Sequence, residues 1–435
     1  MELTSILVPI ALLFVLLFAG LPIGFSLFLC AFIGASMINS PAAAISFLNN
    51  HLFNSIGKFL LTPIPLFVLM GDILATSGIG SNMFDAALKW FGKLRGGLAV
   101  ASIFACAVFA AMTGLSMAGA ATIGIVAIPE MIKRGYDKGL ATGAVCCAGT
   151  LGILIPPSLP FIMFGLVSEQ SIGHLFIAGI LPGLMLTMLF ISYVLLISWR
   201  KPEMAPAITG TITWKNRFGS LRRLWAAVVL IALVLGSIYA GVATPTEAAG
   251  VGALGALIVA LANRSLTLKK LVQCGWRSVT VVGFIMFLVV GAMFFSHYLT
   301  MSGMTQAVSN WLASLAVHRW VIIFGMFVVF TILGMFLDST AIILITTPLF
   351  LPLVQSLGFD PIWYGVFLIM NIEIAFVTPP VGMNLYVIQN IVPEVPLGTV
   401  LRGSLPFLMV AVLAIAIVTV FPQLATWLPS TMIGK

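Results

Sequence analysis

From Leu3 to Leu428 the chain returns repeatedly to apolar stretches long enough to cross the hydrocarbon core of a bilayer, which takes about 20 residues of helix. That restricts the fold more than any motif does, because backbone N–H and C=O groups in hydrocarbon must find partners within the protein. The expected class is an all-α polytopic membrane protein. Of the 435 residues 61% are hydrophobic and only 7% charged, which excludes an ordinary soluble domain. The first stretch follows Glu2 with no Lys or Arg ahead of it, so it reads as a retained span and not as a secretory signal.

A formal net charge of +8 raises the question of nucleic acid. The basic residues, however, sit in short segments between apolar spans and form no stripe interleaved with aromatics, so the partner they imply is the lipid bilayer. The five cysteines, Cys30, Cys106, Cys146, Cys147 and Cys274, have no zinc or disulfide spacing and read as packing residues. His51, His174, His297 and His318 form no local ligand pattern. No Walker A loop, HExxH or GxSxG elbow stands at a supporting position, so a membrane-embedded enzyme is the weaker reading.

Two proline doublets interrupt the apolar background, Ile155-Pro156-Pro157-Ser158 and Thr378-Pro379-Pro380-Val381, 223 positions apart. The same offset places Pro22 on Pro245, Pro129 on Pro352, Ser116 on Ser339, and Gly135-Tyr136-Asp137 on Gly358-Phe359-Asp360. One offset serving the start, middle and end of each half signals duplication, with repeats at about 4–199 and 224–430. In the first repeat, hydropathy predicts spans at about 4–20, 22–38 and 60–80 and a turned-back helical hairpin at 98–128, its tip near Met112–Ser116. A broken span at 139–168 and a last span at 174–199 follow. The segments 41–58 and 264–278 are polar enough to lie along the membrane surface as connecting arms.

A re-entrant hairpin returns to its own side and leaves five crossings per repeat, so the second copy is expected to be inverted. The basic residues support this. With both termini outside, the inner segments hold 17 of the 20 Lys and Arg residues, and only Lys58, Arg319 and Lys435 fall outside. The second hairpin, about 320–350, would then enter from the opposite face and meet the first near the midplane.

Proline has no amide proton and obstructs the carbonyl four residues earlier, so the doublets are expected to release the carbonyls of Gly152, Ile153, Ala375 and Phe376. Unpaired carbonyls in hydrocarbon cost several kcal/mol unless protein, water or an ion satisfies them. Thr113 and Ser116 at the first tip, Asp338, Ser339 and Thr340 at the second, and Asn371 and Thr378 on the second broken span add further oxygens. This donor set suits sodium and not zinc or copper. Half-helices starting after each break offer positive dipole ends to a carboxylate. With no Lys or Arg in the tips or breaks, co-bound cations would offset an anion's charge, which points to cation-coupled anion uptake. Asp72 carries no distinct assignment, Glu373, two positions from Asn371, reads equally as a proton or sodium participant or as a structural acid, and Glu247, after Thr244-Pro245-Thr246, reads at least as well as a helix cap.

Three segments closely resemble the large membrane subunit of tripartite ATP-independent periplasmic (TRAP) transporters: Gly149–Ser158, Ala243–Ala249 and Thr378–Leu385. The resemblance runs over nearly the whole chain. It implies sodium-driven uptake of an organic acid, delivered by a periplasmic substrate-binding protein, with a small four-span membrane subunit completing the permease in the bacterial inner membrane. It also implies an elevator, in which hairpins and broken helices move against a scaffold. On that view 1–97 and 224–318 are scaffold spans and arms, 98–199 and 319–435 transport regions, and 200–223 a cytoplasmic linker. Carried over by residue, one sodium site would use Gly114, Ser116, Gly152 and Pro156, and a second Asp338, Thr340, Asn371, Thr378 and Pro379. The substrate would lie between them near Ser158, Ser339 and Asn384. The alternative is a stand-alone cation-coupled symporter or antiporter for organic anions.

Overall fold

The computed structural model describes residues 4–207, 213–304, 306–307 and 317–432, and among these no strand occurs. The first half runs through α1 (Thr4–Phe18), α2 (Ile23–Ile38), α3 (Pro41–Ile56), α4 (Pro63–Thr76), α5 (Ile79–Phe91), α6 (Gly97–Thr113), α7 (Ser116–Lys133), α8 (Lys138–Leu154), α9 (Leu159–Ser168) and α10 (Ile172–Arg200). The second contains α11 (Trp214–Tyr239), α12 (Pro245–Ala262), α13 (Leu268–Met301), α14 (Arg319–Gly334), α15 (Ser339–Ser356), α16 (Pro361–Ala375), α17 (Met383–Ile391), α18 (Leu397–Val420) and α19 (Gln423–Ser430). Among the described residues, 8 helical segments are long and apolar enough to cross a membrane, or 9 if a bent pair in α11 counts as one. Helix boundaries recur at the 223-residue offset: α7 maps onto α15 end for end, and α8 onto the start of α16.

The repeated Gly-aromatic-Asp triplet explains part of that agreement. Gly135 and Gly358 both adopt φ of +80°, a left-handed conformation open to glycine at little cost, and so end α7 and α15. The Tyr136 and Phe359 amides then reach back to the carbonyls of Met131 and Val354. Two residues after each glycine, an aspartate starts the next helix. Asp137 accepts from the Leu140 amide at 2.8 Å and Asp360 from the Ile362 amide at 2.7 Å. Glu247 caps as well: its carboxylate accepts from the Thr244 amide at 2.8 Å, and the Thr244 hydroxyl accepts from the Glu247 amide at 3.3 Å.

The interior of the molecule is built on α8 and α9. Together they form a 31-residue apolar segment buried over almost its whole length, whereas only a third of the most apolar stretch of α10 or α18 is buried. Around α8 pack α6, α7 and α18, while α2 lies on α13, and α4 on α12 and α13. Both hairpins form, α6–α7 turning at Gly114-Leu115 and α14–α15 at Met335–Asp338.

Three expectations change. The 60–80 span ends at Thr76, because Gly78 (φ +75°) turns the chain into α5, a separate helix. The second arm does not stand apart: from Leu268 it is continuous with the following span in the 34-residue α13, which has no internal proline to break it. At 1.5 Å per residue such a helix exceeds a bilayer core of about 30 Å. Finally, the last part of the expected linker, from Trp214, is already α11.

Candidate functional site

The first hairpin tip sits directly on the first helix break. Gly114 has φ of +65° and lies so close to the Pro157 carbonyl and to Ser158 that a Cβ on it would overlap them. From the other side, a Cβ on Gly152 would lie 2.7 Å from the Leu115 carbonyl oxygen and 2.9 Å from the Ser116 amide. Glycine at both positions therefore allows backbone to meet backbone. Gly114, Ser116, Gly152 and Pro156 come together here, at a break buried from Ile155 to Ser158.

The bonding at the breaks corrects one expectation. Of the four carbonyls that the prolines deprive of an amide, three have found other donors. Ile153 accepts from the Ser158 hydroxyl at 2.5 Å, Ala375 from the Thr378 amide at 3.1 Å, and Phe376 from the Asn384 amide at 3.1 Å. Such turns follow because a chain leaving a helix in an apolar interior folds back to satisfy its own polar groups. Among the described residues only the Gly152 carbonyl has no such donor. The other three still carry a second lone pair, and of the four Gly152 is the one left without a donor.

Asn384, fully buried at the start of α17, reaches across to the first hairpin. Its amide nitrogen donates to the Ser116 hydroxyl at 2.9 Å and to the Cys146 carbonyl at 3.1 Å. The Ser116 hydroxyl lies 3.2 Å from the Asn384 carbonyl oxygen. Of the three residues expected at the substrate, Ser158 and Asn384 thus flank the first tip, both engaged in protein hydrogen bonds, while Ser339 lies half-buried at the second tip with no hydrogen bond to either.

The second hairpin and break are more open. Asp338 caps α15, one carboxylate oxygen accepting from the Thr340 amide at 2.9 Å, while the other is buried with no partner. Asn371 is buried in α16, its side-chain oxygen 3.3 Å from the Thr331 hydroxyl, which also donates to the Phe327 carbonyl at 2.8 Å, so the first arm of the hairpin touches α16 here. Gly334 abuts Ala375 just before the tip. Thr378 donates to the Ile374 carbonyl at 2.7 Å, and Pro379, Pro380 and Val381 are exposed. Among the described residues no hydrogen bond joins Asp338 or Thr340 to Thr378 or Pro379, so the second donor set is less assembled than the first.

A cavity of about 520 Å³ opens beside this second set, between Phe14, Leu17 and Leu21 of the first helices and Leu333, Leu337 and Val381. Among the described residues no group of three His, Cys, Asp or Glu could hold a metal, so a cation at either break would meet hydroxyl, carboxylate and backbone oxygens. The sequence reading did not find Thr331, and its offset counterpart is Val108, so the repeat carried no signal for it. Glu373, expected to be either a proton or sodium participant or a structural acid, is buried with both carboxylate oxygens unpartnered.

Residues 10–424 match the family described as the DctM component of the tripartite ATP-independent periplasmic transporter. The chain belongs to that family. It is 37% identical over 380 residues to the C4-dicarboxylate TRAP transporter large permease protein of Pseudomonas aeruginosa, covering 87% of this chain and 88% of that one. It is 31% identical to the sialic acid TRAP transporter large permease protein of Vibrio cholerae, over 96% of this chain and 97% of that one. In three dimensions this TRAP permease is similar to the Alcanivorax borkumensis YdaH transporter, with a TM-score of 0.65 at 15% identity over 89% of each chain, a likeness of fold alone. The TRAP large permease is therefore an all-helical, multi-pass membrane protein whose paired hairpins and helix breaks lie within the matched region.

Proposed function

We propose that the chain is the large subunit of a sodium-coupled uptake system for an organic acid. A periplasmic binding protein delivers the acid, and a small four-span subunit completes the permease in the bacterial inner membrane. The observation that carries this reading is the seating of the Gly114–Ser116 tip on the Gly152–Ser158 break, where the proline leaves the Gly152 carbonyl without an amide donor. At the 223-residue offset, Asp338 on the second hairpin keeps an unpaired, buried oxygen. A buried oxygen without a donor is a costly feature that a small hard cation relieves.

Two such cations would give a carboxylate the positive charge that the hairpin tips lack. The relatives named above for a C4-dicarboxylate and for sialic acid both handle carboxylates, which supports that chemical class. The basic-residue asymmetry supports inverted repeats with both termini periplasmic, and the hairpins with the broken helices would form the part that moves, elevator-like, against α1–α4 and α11–α13. Reconstitution into liposomes with the small subunit and the loaded binding protein tests it. Uptake should require an inward sodium gradient and both partners. Equal uptake with potassium in place of sodium contradicts the coupling, and equal uptake by the large chain alone contradicts the tripartite assembly.

A further inference from the structure

At the opposite flank of the second hairpin, α14, α16 and α18 enclose an apolar groove of about 280 Å³. Trp320, Phe324 and Phe327 form one wall, Phe367 contributes from α16, and Ala416 and Val420 line the other side. Phe324 is 65% and Val420 63% exposed, so the groove faces outward. The hydroxyl of Thr419, another lining residue, donates to the Ile415 carbonyl at 2.8 Å, which leaves a concave surface with little to offer water. In a bilayer such a groove fills with hydrocarbon.

A charged group stands next to it. The Arg319 guanidinium lies 5.2 Å from the Trp320 ring centre and 5.5 Å from that of Phe359, resting on an edge-to-face aromatic pair whose ring centres are 5.5 Å apart. The only ion pair among the described residues is Arg134–Glu130, so Arg319 has no carboxylate partner. The neighbouring acid, Asp360, accepts the amides of Ile362 and Trp363 on Oδ1 as a helix cap and forms no ion pair with Arg319. An arginine beside an interfacial tryptophan, above a lipid-facing apolar groove, matches a phospholipid in charge and in depth.

We infer that this groove binds an anionic phospholipid, with an acyl chain between α14 and α18 and the phosphate on Arg319. The bound lipid braces α14, the helix that presents Thr331 to Asn371 and leads to Asp338. Occupancy is independent of what the permease transports. Native mass spectrometry of the purified permease tests it, after exposure to phosphatidylglycerol or to phosphatidylethanolamine with the same acyl chains.

The wild type should retain phosphatidylglycerol under activation that strips phosphatidylethanolamine. Ala416→Phe, which fills the groove, should abolish retention, and Arg319→Gln should weaken phosphatidylglycerol binding about fivefold, as expected for one basic residue at a membrane surface. Met409→Phe, at an exposed position of α18 outside the groove, should leave it unchanged. Equal retention of the two lipids by the wild type overturns the inference, as does unchanged phosphatidylglycerol binding in Arg319→Gln. The latter variant decides the matter even if Ala416→Phe fails to fold.

Discussion

Asp338 holds one carboxylate oxygen on the Thr340 amide and leaves the other buried without a partner, so it is the residue on which the proposed second cation site depends most. Asp338→Asn keeps the helix cap and removes the charge. Sodium activation of uptake should move to higher concentration while expression and thermal stability change little, and an unchanged sodium curve would count against the assignment. Gly152 answers a different question. In Gly152→Ala the new methyl meets the Leu115 carbonyl and the Ser116 amide, so the first tip cannot seat. Sodium-dependent transport should be lost, and a sodium-induced rise in melting temperature should shrink. At Asn384 the expected effect is on stability: Asn384→Ala strands the buried Ser116 hydroxyl and removes the second donor of the Cys146 carbonyl, at a cost of about 1–3 kcal/mol. The effect should be non-additive with Ser116→Ala in a double-mutant cycle followed by thermal unfolding. The motif around Asn384 was visible in the sequence, but its partner was not. The contact spans 268 positions between the halves and pairs an amide with a serine, a combination with no periodicity to betray it.

At the scale of elements, much was legible because it rests on local chemistry. Prolines without amides mark the breaks, glycines with positive φ mark the turns, and aspartates and threonines mark helix starts. Helices end at both proline doublets and at both expected tips, where those signals put them. The fate of the released carbonyls was not legible, since Ser158, Thr378 and Asn384 satisfy them through turns whose geometry no propensity encodes. The fusion of an arm into α13 was hidden for a related reason, as polar composition indicates solvent contact but does not end a helix. The two breaks therefore differ in a way their shared sequence conceals. Pro156→Ala supplies an amide to the orphaned Gly152 carbonyl and should strongly weaken sodium-dependent uptake. Pro379→Ala restores an amide opposite a carbonyl already held by Thr378 and should do less. Side-by-side sodium titrations of uptake by the two variants check this, and equal losses would show that the open carbonyl is not what distinguishes the breaks.

For the whole molecule, helix ends recur at the 223-residue offset, and α17 ties the second half to the tip of the first through Asn384. In the proposed scheme that clasp would couple the two donor sets, so ions at both should act together and not as independent sites. The central claim is that two cation sites, one at each proline break, drive uptake of one organic acid. The most direct measurement is the initial rate of uptake as a function of sodium concentration in the reconstituted three-component system, for the wild type and Asp338→Asn. A sigmoidal wild-type curve that becomes the simple saturation curve of a single ion in the variant is the predicted result. A simple saturation curve for the wild type, or a sigmoidal curve left intact by Asp338→Asn, would contradict it.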